Sequence, residues 1–278
     1  MRVLLLLALA LPALCLPVSA GETAWQEVAP GVSIRLVSAG APSGNGTALF
    51  GLEIDMPADT KTYWRIPGET GLPTELDFTG STGIGRHELH WPHPLREVSD
   101  GYLDHVYFGP TVLPIELEVT DPQGVVNLQA TLGICSDICV PAQARLSLPV
   151  LDPAPDRANA LRIRQALASV PIPWPENPEP AGPVRLTGDG AAILVEIDSE
   201  QIDPQSLFVA GGPEAPLFGA PQKSPQPNLV LLPIMGKTDN STLEGMEVDL
   251  TFMTPRGAFE VSRTIEAGAD AVVDVPGQ

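Results

Sequence analysis

Turn-forming residues are spread along the whole chain, so regular elements between them must be short. The 278 residues include 26 glycines and 31 prolines. Between them run short stretches in which apolar and polar side chains alternate. A period of two places alternate side chains on opposite faces of a strand. Short alternating strands separated by frequent turns are typical of β-sandwiches, so we expect an all-β fold.

Candidate strands fill the first half of the chain. They cover residues 32–37, 48–56, 61–66, 73–78, 86–91, 112–120, 125–134 and 143–150. The clearest pair flanks Asp121-Pro122-Gln123-Gly124, a good β-turn sequence. About eight strands in roughly 120 residues are enough for one sandwich. Between residues 91 and 112 the alternating pattern breaks, and we expect a long loop there.

A helix and a proline-rich linker follow the first set of strands. Residues 156–170 place Ala160, Ile163, Leu167 and Val170 on one helical face. Residues 175–183 have the composition of a linker. Beyond the linker the strand pattern resumes in five shorter segments, residues 191–197, 206–210, 229–234, 246–252 and 258–265. These segments predict a second, smaller sandwich.

The first 20 residues have the three parts of a secretory signal. Arg2 is the positive residue, residues 3–16 are apolar, and Val18-Ser19-Ala20 is a small-residue cleavage site. The apolar run is too short to span a membrane comfortably. Cleavage after Ala20 removes Cys15 and leaves two cysteines, an even number that fits an oxidising compartment. We therefore expect an exported, soluble protein.

The domain organisation expected from these patterns has four parts. Residues 1–20 form the signal peptide and residues 21–150 the first sandwich, which contains both remaining cysteines. Residues 151–175 form the connecting helix and linker. Residues 176–278 form the second sandwich, which ends in a frayed acidic tail.

The charge and the motifs exclude several classes of function. The formal net charge of −19 disfavours nucleic acid and anionic membrane surfaces as partners. The sequence shows no Ser-His-Asp arrangement, no phosphate-binding glycine loop and no zinc-protease signature. His87, His90 and His93 are spaced by three residues, but a strand would point His87 and His90 in opposite directions. We therefore expect no metal site among the histidines.

Cys135 and Cys139 are the candidate reactive groups. They follow a predicted strand and are close enough to form a disulfide if the turn between them brings the sulfurs together. A ring of roughly five residues stabilises the folded state by only about 2 kcal/mol in the chain-entropy model. This small constraint favours a redox role. A local structural staple and a soft-metal site that joins the thiolates to a histidine remain alternatives.

Several motifs, in the same order, resemble the N-terminal domain of DsbD-type thiol–disulfide interchange proteins. Residues 61–73 read KTYWRIPGETGLP and are similar to a stretch typical of that domain. Further matches are WPHP at residues 91–94, LPI at residues 113–115 and CSDICVP at residues 135–141. The resemblance is strongest to the ScsB (suppressor of copper sensitivity) branch, whose two-domain periplasmic head also has a helix and a second β domain.

The resemblance implies an immunoglobulin-like fold in which the two cysteines cycle between disulfide and dithiol without a cofactor or a metal. Cys139 is expected to form the mixed disulfide with partners, and Cys135 to resolve it. The sequence carries no membrane domain, so the expected electron donor is a membrane-embedded thiol reductant protein. The expected acceptors are thioredoxin-like periplasmic proteins. Two alternatives are a copper-binding or copper-tolerance module that uses the same thiolates, and an assembly module with a structural disulfide.

The resemblance also implies a loop that shields the cysteine pair. Its counterpart is residues 98–108, with Asp100, Tyr102, Tyr107 and Phe108 as the candidate shielding residues. The expected supporting residues are Tyr63, Trp64 and Arg65, which lie within the first motif.

Overall fold

The computed structural model describes residues 21–151, 157–224, 226–236 and 240–268. The expected signal peptide lies outside these ranges, as do most residues of the expected tail. Across the described ranges, no helix combines the length and the apolar character needed to cross a membrane.

Two facing sheets form the first sandwich. Their strands are β1 (Gln26–Ala29), β2 (Val32–Ser38), β3 (Thr47–Asp55), β4 (Lys61–Gly68), β5 (Glu75–Asp77), β6 (Ile84–Leu89), β7 (Leu95–Ser99), β8 (Tyr102–Phe108), β9 (Thr111–Val119), β10 (Val125–Cys135) and β11 (Cys139–Pro149). One sheet has the order β1-β2-β3-β9-β6. The other has the order β11-β10-β4-β8-β7, and β5 pairs with β10.

The core of this sandwich lies between the two sheets. Phe50 and Leu52 from β3 and Leu128 and Leu132 from β10 are almost completely buried in it. From Pro141 onward, exposed and buried residues alternate strictly along β11. The period of two in the sequence therefore corresponds to one face on the core and one face toward solvent.

Helix α1 (Arg157–Leu167) packs on the first sandwich, against β2, β3 and β9. Its buried Ile163 lies over Gly51 of β3, where an added Cβ would be 3.0 Å from the Ile163 Cγ1. Glycine at this position lets the helix approach the sheet closely. Arg162 of the helix forms an ion pair with Glu53 of β3, with 3.0 Å between Nε and Oε1.

The second sandwich surrounds a separate apolar core that includes Trp174, Val195, Leu232 and Leu250. Its strands are β12 (Ile172–Pro173), β13 (Ala181–Leu186), β14 (Ala192–Ile197), β15 (Phe208–Gly211), β16 (Leu217–Phe218), β17 (Gln222–Lys223), β18 (Leu229–Met235), β19 (Glu247–Thr254) and β20 (Gly257–Glu266). They hydrogen-bond in the order β15-β19-β20-β13-β14-β18-β16, with β12 beside β20 and β17 beside β18. The structure confirms the expected all-β class, with two immunoglobulin-like sandwiches joined by a short helix and a proline-rich segment.

Phe208 of the second sandwich is buried against the first. Its ring lies 5.6 Å from Trp64 and 4.8 Å from His105, measured between ring centroids. The guanidinium of Arg96 lies 4.1 Å from the Phe208 centroid and donates hydrogen bonds to the backbone carbonyls of Gln205 and Leu207, each 2.7 Å long. One aromatic side chain and its polar surroundings thus connect the two sandwiches.

The segment expected to be a long loop is a β-hairpin instead. Strands β7 and β8 pair in an unbroken register from Leu95 opposite Val106 to Ser99 opposite Tyr102. The turn between them is Asp100-Gly101, and both residues have a positive φ, 53° and 86°. Two left-handed residues fit a two-residue hairpin turn of type I′, for which Asp-Gly is a preferred sequence.

Candidate functional site

The cysteine pair closes the hairpin formed by β10 and β11. The two strands pair without interruption from Val125 opposite Pro149 to Cys135 opposite Cys139. The cysteine Cα atoms are 4.0 Å apart, and the two sulfurs form a disulfide. The long matched register therefore brings the cysteines together and leaves residues 136–138 as the turn.

The two sulfur-bearing residues differ in their exposure to solvent. Cys135 is 5% exposed, whereas Cys139 is exposed at the start of β11, which is an edge strand. The neighbouring Ile138 is 73% exposed. An incoming thiol group can therefore reach Cys139, while Cys135 is shielded by the protein.

A small cluster packs around Cys135 on the face of the sheet that points away from the main core. It contains Tyr63, Val106 and Cys135, with Phe108 packed against it. Cys135 lies opposite Lys61 of β4, and Lys61 lies opposite Phe108 of β8. The hydroxyl oxygen of Tyr63 is 3.6 Å from the Sγ of Cys139. A disulfide sulfur has no hydrogen to give, so the tyrosine hydroxyl is the donor.

The turn after β4 holds Tyr63 in place over β10. An added Cβ at Gly133 would lie 2.8 Å from the Tyr63 Cδ2 and 2.9 Å from the Leu72 Cβ. Gly133 therefore leaves the space that both side chains occupy. The turn begins at Gly68, whose φ is +99° and where a Cβ would meet the carbonyl oxygen of Leu103 at 2.3 Å. Both features require glycine for steric reasons.

A compact ion cluster adjoins Tyr63. The Nζ of Lys61 forms ion pairs with Glu97 and with Asp104, the latter at 3.1 Å from Nζ to Oδ2. Asp104 also accepts hydrogen bonds from Thr70, at 3.0 Å from the backbone N–H and 2.6 Å from the hydroxyl. Strand β8 is thereby connected both to Lys61 and to the turn after β4.

The electrostatics of this cluster favour the charged forms of Lys61 and Asp104 and the neutral form of the Tyr63 phenol. Burial lowers the pKa of Lys61, but its hydrogen bonds to Glu97 and Asp104 outweigh burial and raise the pKa above its usual value. Burial raises the pKa of Asp104, but hydrogen bonds from Thr70 and Lys61 outweigh burial and lower the pKa. Burial raises the pKa of Tyr63 despite the nearby charge of Lys61. At neutral pH the Tyr63 phenol therefore keeps its proton and can donate it in a hydrogen bond.

The candidate shielding residues lie in three different places. Phe108 packs against the cluster that contains Cys135. Tyr107 belongs to the main core on the other face of the sheet, where its hydroxyl donates a 2.7 Å hydrogen bond to the carbonyl of Pro92. Asp100 and Tyr102 lie at the hairpin turn, about 20 Å along β8 from Phe108 at 3.3 Å per residue. The expectation for Tyr107 is therefore wrong, because successive strand residues face opposite sides of the sheet.

The expected supporting residues are also divided between two places. Tyr63 contacts Cys139. Trp64 is 1% exposed in the main core and contacts Phe208 of the second sandwich. Arg65 forms an ion pair with Glu260 of the second sandwich. The structure thus places Tyr63 beside the sulfur pair and Trp64 and Arg65 at the interface between the sandwiches.

Three of the histidines pack on phenylalanine rings, two of them on the same ring. His93 and His105 contact Phe208, and His87 packs on Phe78. Burial lowers the pKa of His105 to about 4, and the nearby charge of Arg96 adds to this effect. Among the residues that the structure describes, no group of three or more His, Cys, Asp and Glu side chains could hold a metal ion.

Four residues that belong to the site were not predicted from the sequence: Leu72, Gly133, Asp104 and Thr70. Their partners lie far away along the chain, and Asp104 and Thr70 are 34 residues apart. A weak signal existed for the turn. Its Pro67-Gly68 and Gly71 mark a change of chain direction directly after the strand that carries Tyr63.

Comparison with known proteins is consistent with this geometry. Residues 35–151 match the family described as "Thiol:disulfide interchange protein DsbD, N-terminal". No curated protein sequence matches the chain. The N-terminal periplasmic domain of ScsB from Proteus mirabilis has a similar structure, with a TM-score of 0.73 and 24% sequence identity. The match covers 90% of this chain and 100% of that one.

A chimeric titin Z1Z2 also aligns over 90% of this chain and 98% of its own, with an identity of 9% and a TM-score of 0.20. The family match and the ScsB structure together confirm the resemblance expected from the motifs, and the structural match extends over both sandwiches.

Proposed function

Since residues 35–151 match the DsbD N-terminal family, we propose that this protein exchanges electrons through a reversible Cys135–Cys139 disulfide. The observation that carries the proposal is the asymmetry of the pair, with Cys139 exposed on an edge strand and Cys135 buried. The partners proposed are a membrane-embedded thiol reductant and thioredoxin-like acceptors. The proposed location is the periplasm, which the amino-terminal signal pattern supports.

The proposed reaction with an acceptor begins from the dithiol. The Cys139 thiolate attacks one sulfur of the acceptor's disulfide. The acceptor's S–S bond breaks, and its other sulfur leaves with the electron pair and takes up a proton. The Cys135 thiolate then attacks the Cys139 Sγ, and the acceptor's remaining sulfur leaves as a thiolate, which takes up the second proton. The acceptor gains two electrons and two protons, and the Cys135–Cys139 disulfide forms.

The donor restores the dithiol by the reverse sequence. Its thiolate attacks the exposed Cys139, and Cys135 leaves as a thiolate. The donor's second thiol group then breaks the mixed disulfide, and Cys139 leaves as a thiolate. Each resolving step is fast because the second thiol is held close to the bond it attacks. The Tyr63 hydroxyl, 3.6 Å from the Cys139 Sγ, can stabilise the Cys139 thiolate in both directions.

Trapping of mixed disulfides tests these roles. The reduced Cys135→Ala variant, mixed with an oxidised thioredoxin-like protein, should accumulate a mixed disulfide through Cys139 because the resolving thiol is missing. The matched Cys139→Ala variant should trap far less, since its remaining thiol is buried. Equal trapping by the two variants would remove the assignment of roles.

The reduction potential separates a redox disulfide from a structural one. Structural disulfides of secreted proteins typically have reduction potentials below about −300 mV. We expect the potential of the Cys135–Cys139 disulfide to lie above that value. A disulfide that thioredoxin-like donors cannot reduce would refute the proposed function. The copper alternative can be tested separately by titrating the reduced protein with Cu(I).

A further inference from the structure

We propose that Lys61 is a positioning residue that holds Tyr63 so that its hydroxyl group donates a hydrogen bond to the Cys139 sulfur in the reduced protein. The inference rests on the proposed function, because it concerns the sulfur that reacts with partners. Lys61 lies directly across the sheet from Cys135. Its Nζ is 5.7 Å from the centroid of the Tyr63 ring, and the Tyr63 hydroxyl is 3.6 Å from the Cys139 Sγ.

The lysine is itself firmly held. Its side chain is 11% exposed, and that of its partner Asp104 is 4% exposed. Glu97 on β7, the strand beyond β8, is the second partner. Asp104 is fixed in turn by two hydrogen bonds from Thr70. A long side chain with a flexible stem is thus confined to one place by partners on two strands, of which β8 is itself tied to the turn after β4.

The ammonium acts on the ring by cation–π attraction and on the hydroxyl by charge. A cation within about 6 Å of an aromatic centroid is attracted to the ring face. The positive charge also opposes the effect of burial on the Tyr63 pKa, which makes the phenol a better hydrogen-bond donor while it remains protonated. A donor directed at a thiolate lowers the pKa of the thiol and increases its reactive fraction.

A simple excess of positive charge does not explain the arrangement. The charged groups beside Tyr63 are Lys61 with Asp104 and Glu97 from β8 and β7, and the exposed Asp137 lies in the turn between the cysteines. Asp104 and Glu97 together outweigh the single charge of Lys61. Lys61 therefore has its effect through the position of the Tyr63 hydroxyl.

The test measures the pKa of Cys139 directly. In the reduced Cys135→Ala background, Cys139 is the reactive thiol of the mature chain. The pH dependence of its alkylation by iodoacetamide gives its pKa. Lys61→Met keeps the length of the side chain and removes the charge. We expect it to raise the Cys139 pKa by about one unit, which lowers the thiolate fraction about tenfold at pH values below both pKa values.

A double-mutant cycle with Tyr63→Phe tests whether Lys61 acts through the tyrosine. Tyr63→Phe keeps the ring and removes the donor, so we expect a similar rise in the Cys139 pKa. If Lys61 acts through Tyr63, Lys61→Met should add little in the Tyr63→Phe background. A Lys61→Met shift that is absent, or that is equally large in both backgrounds, would overturn the proposal.

A control variant removes a cation from the same hairpin but away from the sulfur pair. Arg145 of β11 is exposed, hydrogen-bonds to Gln129, and lies about 20 Å along the strand from Cys139. Arg145→Met should leave the alkylation profile unchanged. A shift as large as that of Lys61→Met would show that any lost charge has this effect, and it would overturn the proposal.

Lys61→Met leaves two carboxylates without their cation and can prevent folding. A variant that combines Lys61→Met with Glu97→Gln and Asp104→Asn leaves no unpaired charge in the cluster. The positioning role predicts a higher Cys139 pKa in this variant, whereas loss of one net negative charge alone predicts a lower one. A lower or unchanged pKa would overturn the inference.

Failure of the inference and failure of the proposed function are distinguishable, because alkylation needs no partner protein. An alkylation profile that is insensitive to Lys61 and Tyr63 overturns the inference. Absence of mixed disulfides with the Cys135→Ala variant overturns the proposed function.

Discussion

Reduction of the Cys135–Cys139 disulfide should weaken the first sandwich only slightly. The disulfide closes a ring of roughly five residues, for which the chain-entropy model gives about 2 kcal/mol. The hairpin does not depend on this bond for its register, because β10 and β11 remain paired as far as Val125 and Pro149. The large apolar core between the two sheets is also unaffected.

Urea unfolding of the oxidised and reduced protein measures the difference. A loss of about 2 kcal/mol corresponds to a shift of the midpoint on the order of 1 M urea at the slopes usual for small domains. The double variant Cys135→Ala with Cys139→Ala is the control, since it removes the bond without a reductant. A loss well above 4 kcal/mol, or unfolding of the first sandwich on reduction, would show that the disulfide is a structural staple and refute the reasoning.

Three further predictions concern the interface and the site. Phe208→Ala should lower the free energy of unfolding by about 3–5 kcal/mol, measured by urea unfolding, because it leaves a cavity beside Trp64. Burial lowers the pKa of His105 to about 4, so the unfolded chain binds its proton more readily. Stability should fall as the pH drops from about 6.5 to 4, by up to about 3 kcal/mol, and His105→Gln should flatten that slope. Gly133→Ala should displace Tyr63 and slow the alkylation of Cys139, whereas an unchanged rate would contradict the close contact seen there.

The cysteine hairpin could be predicted from the sequence because its information is local. Alternation along β10 marks a strand, and the turn between the cysteines is three residues long. The contact between Tyr63 and Cys139 spans 76 residues, and the one between Lys61 and Asp104 spans 43. No local pattern encodes such contacts. The family resemblance placed Tyr63 in the site, but it did not assign it a contact.

The hairpin of β7 and β8 was missed for a different physical reason. Residues 103–107 are buried on both faces of the strand. One face contacts the Cys135 cluster and the ion cluster. The other face contacts the main core and Phe208. A strand buried on both sides loses the alternation that identifies a half-exposed strand. The Asp100-Gly101 pair was the remaining signal, and it is a preferred sequence for a two-residue hairpin turn.

Strand β4 explains why one short motif carries residues with different roles. Lys61 and Tyr63 point to the face that holds Cys135, whereas Thr62 and Trp64 point to the opposite face. Trp64 there contacts Phe208 of the second sandwich. Substitutions at Lys61 or Tyr63 should therefore alter the environment of the sulfurs, whereas substitutions at Trp64 should alter the docking of the two sandwiches. Because both sets share one backbone, the second sandwich packs against the same strand that positions Tyr63 beside Cys139.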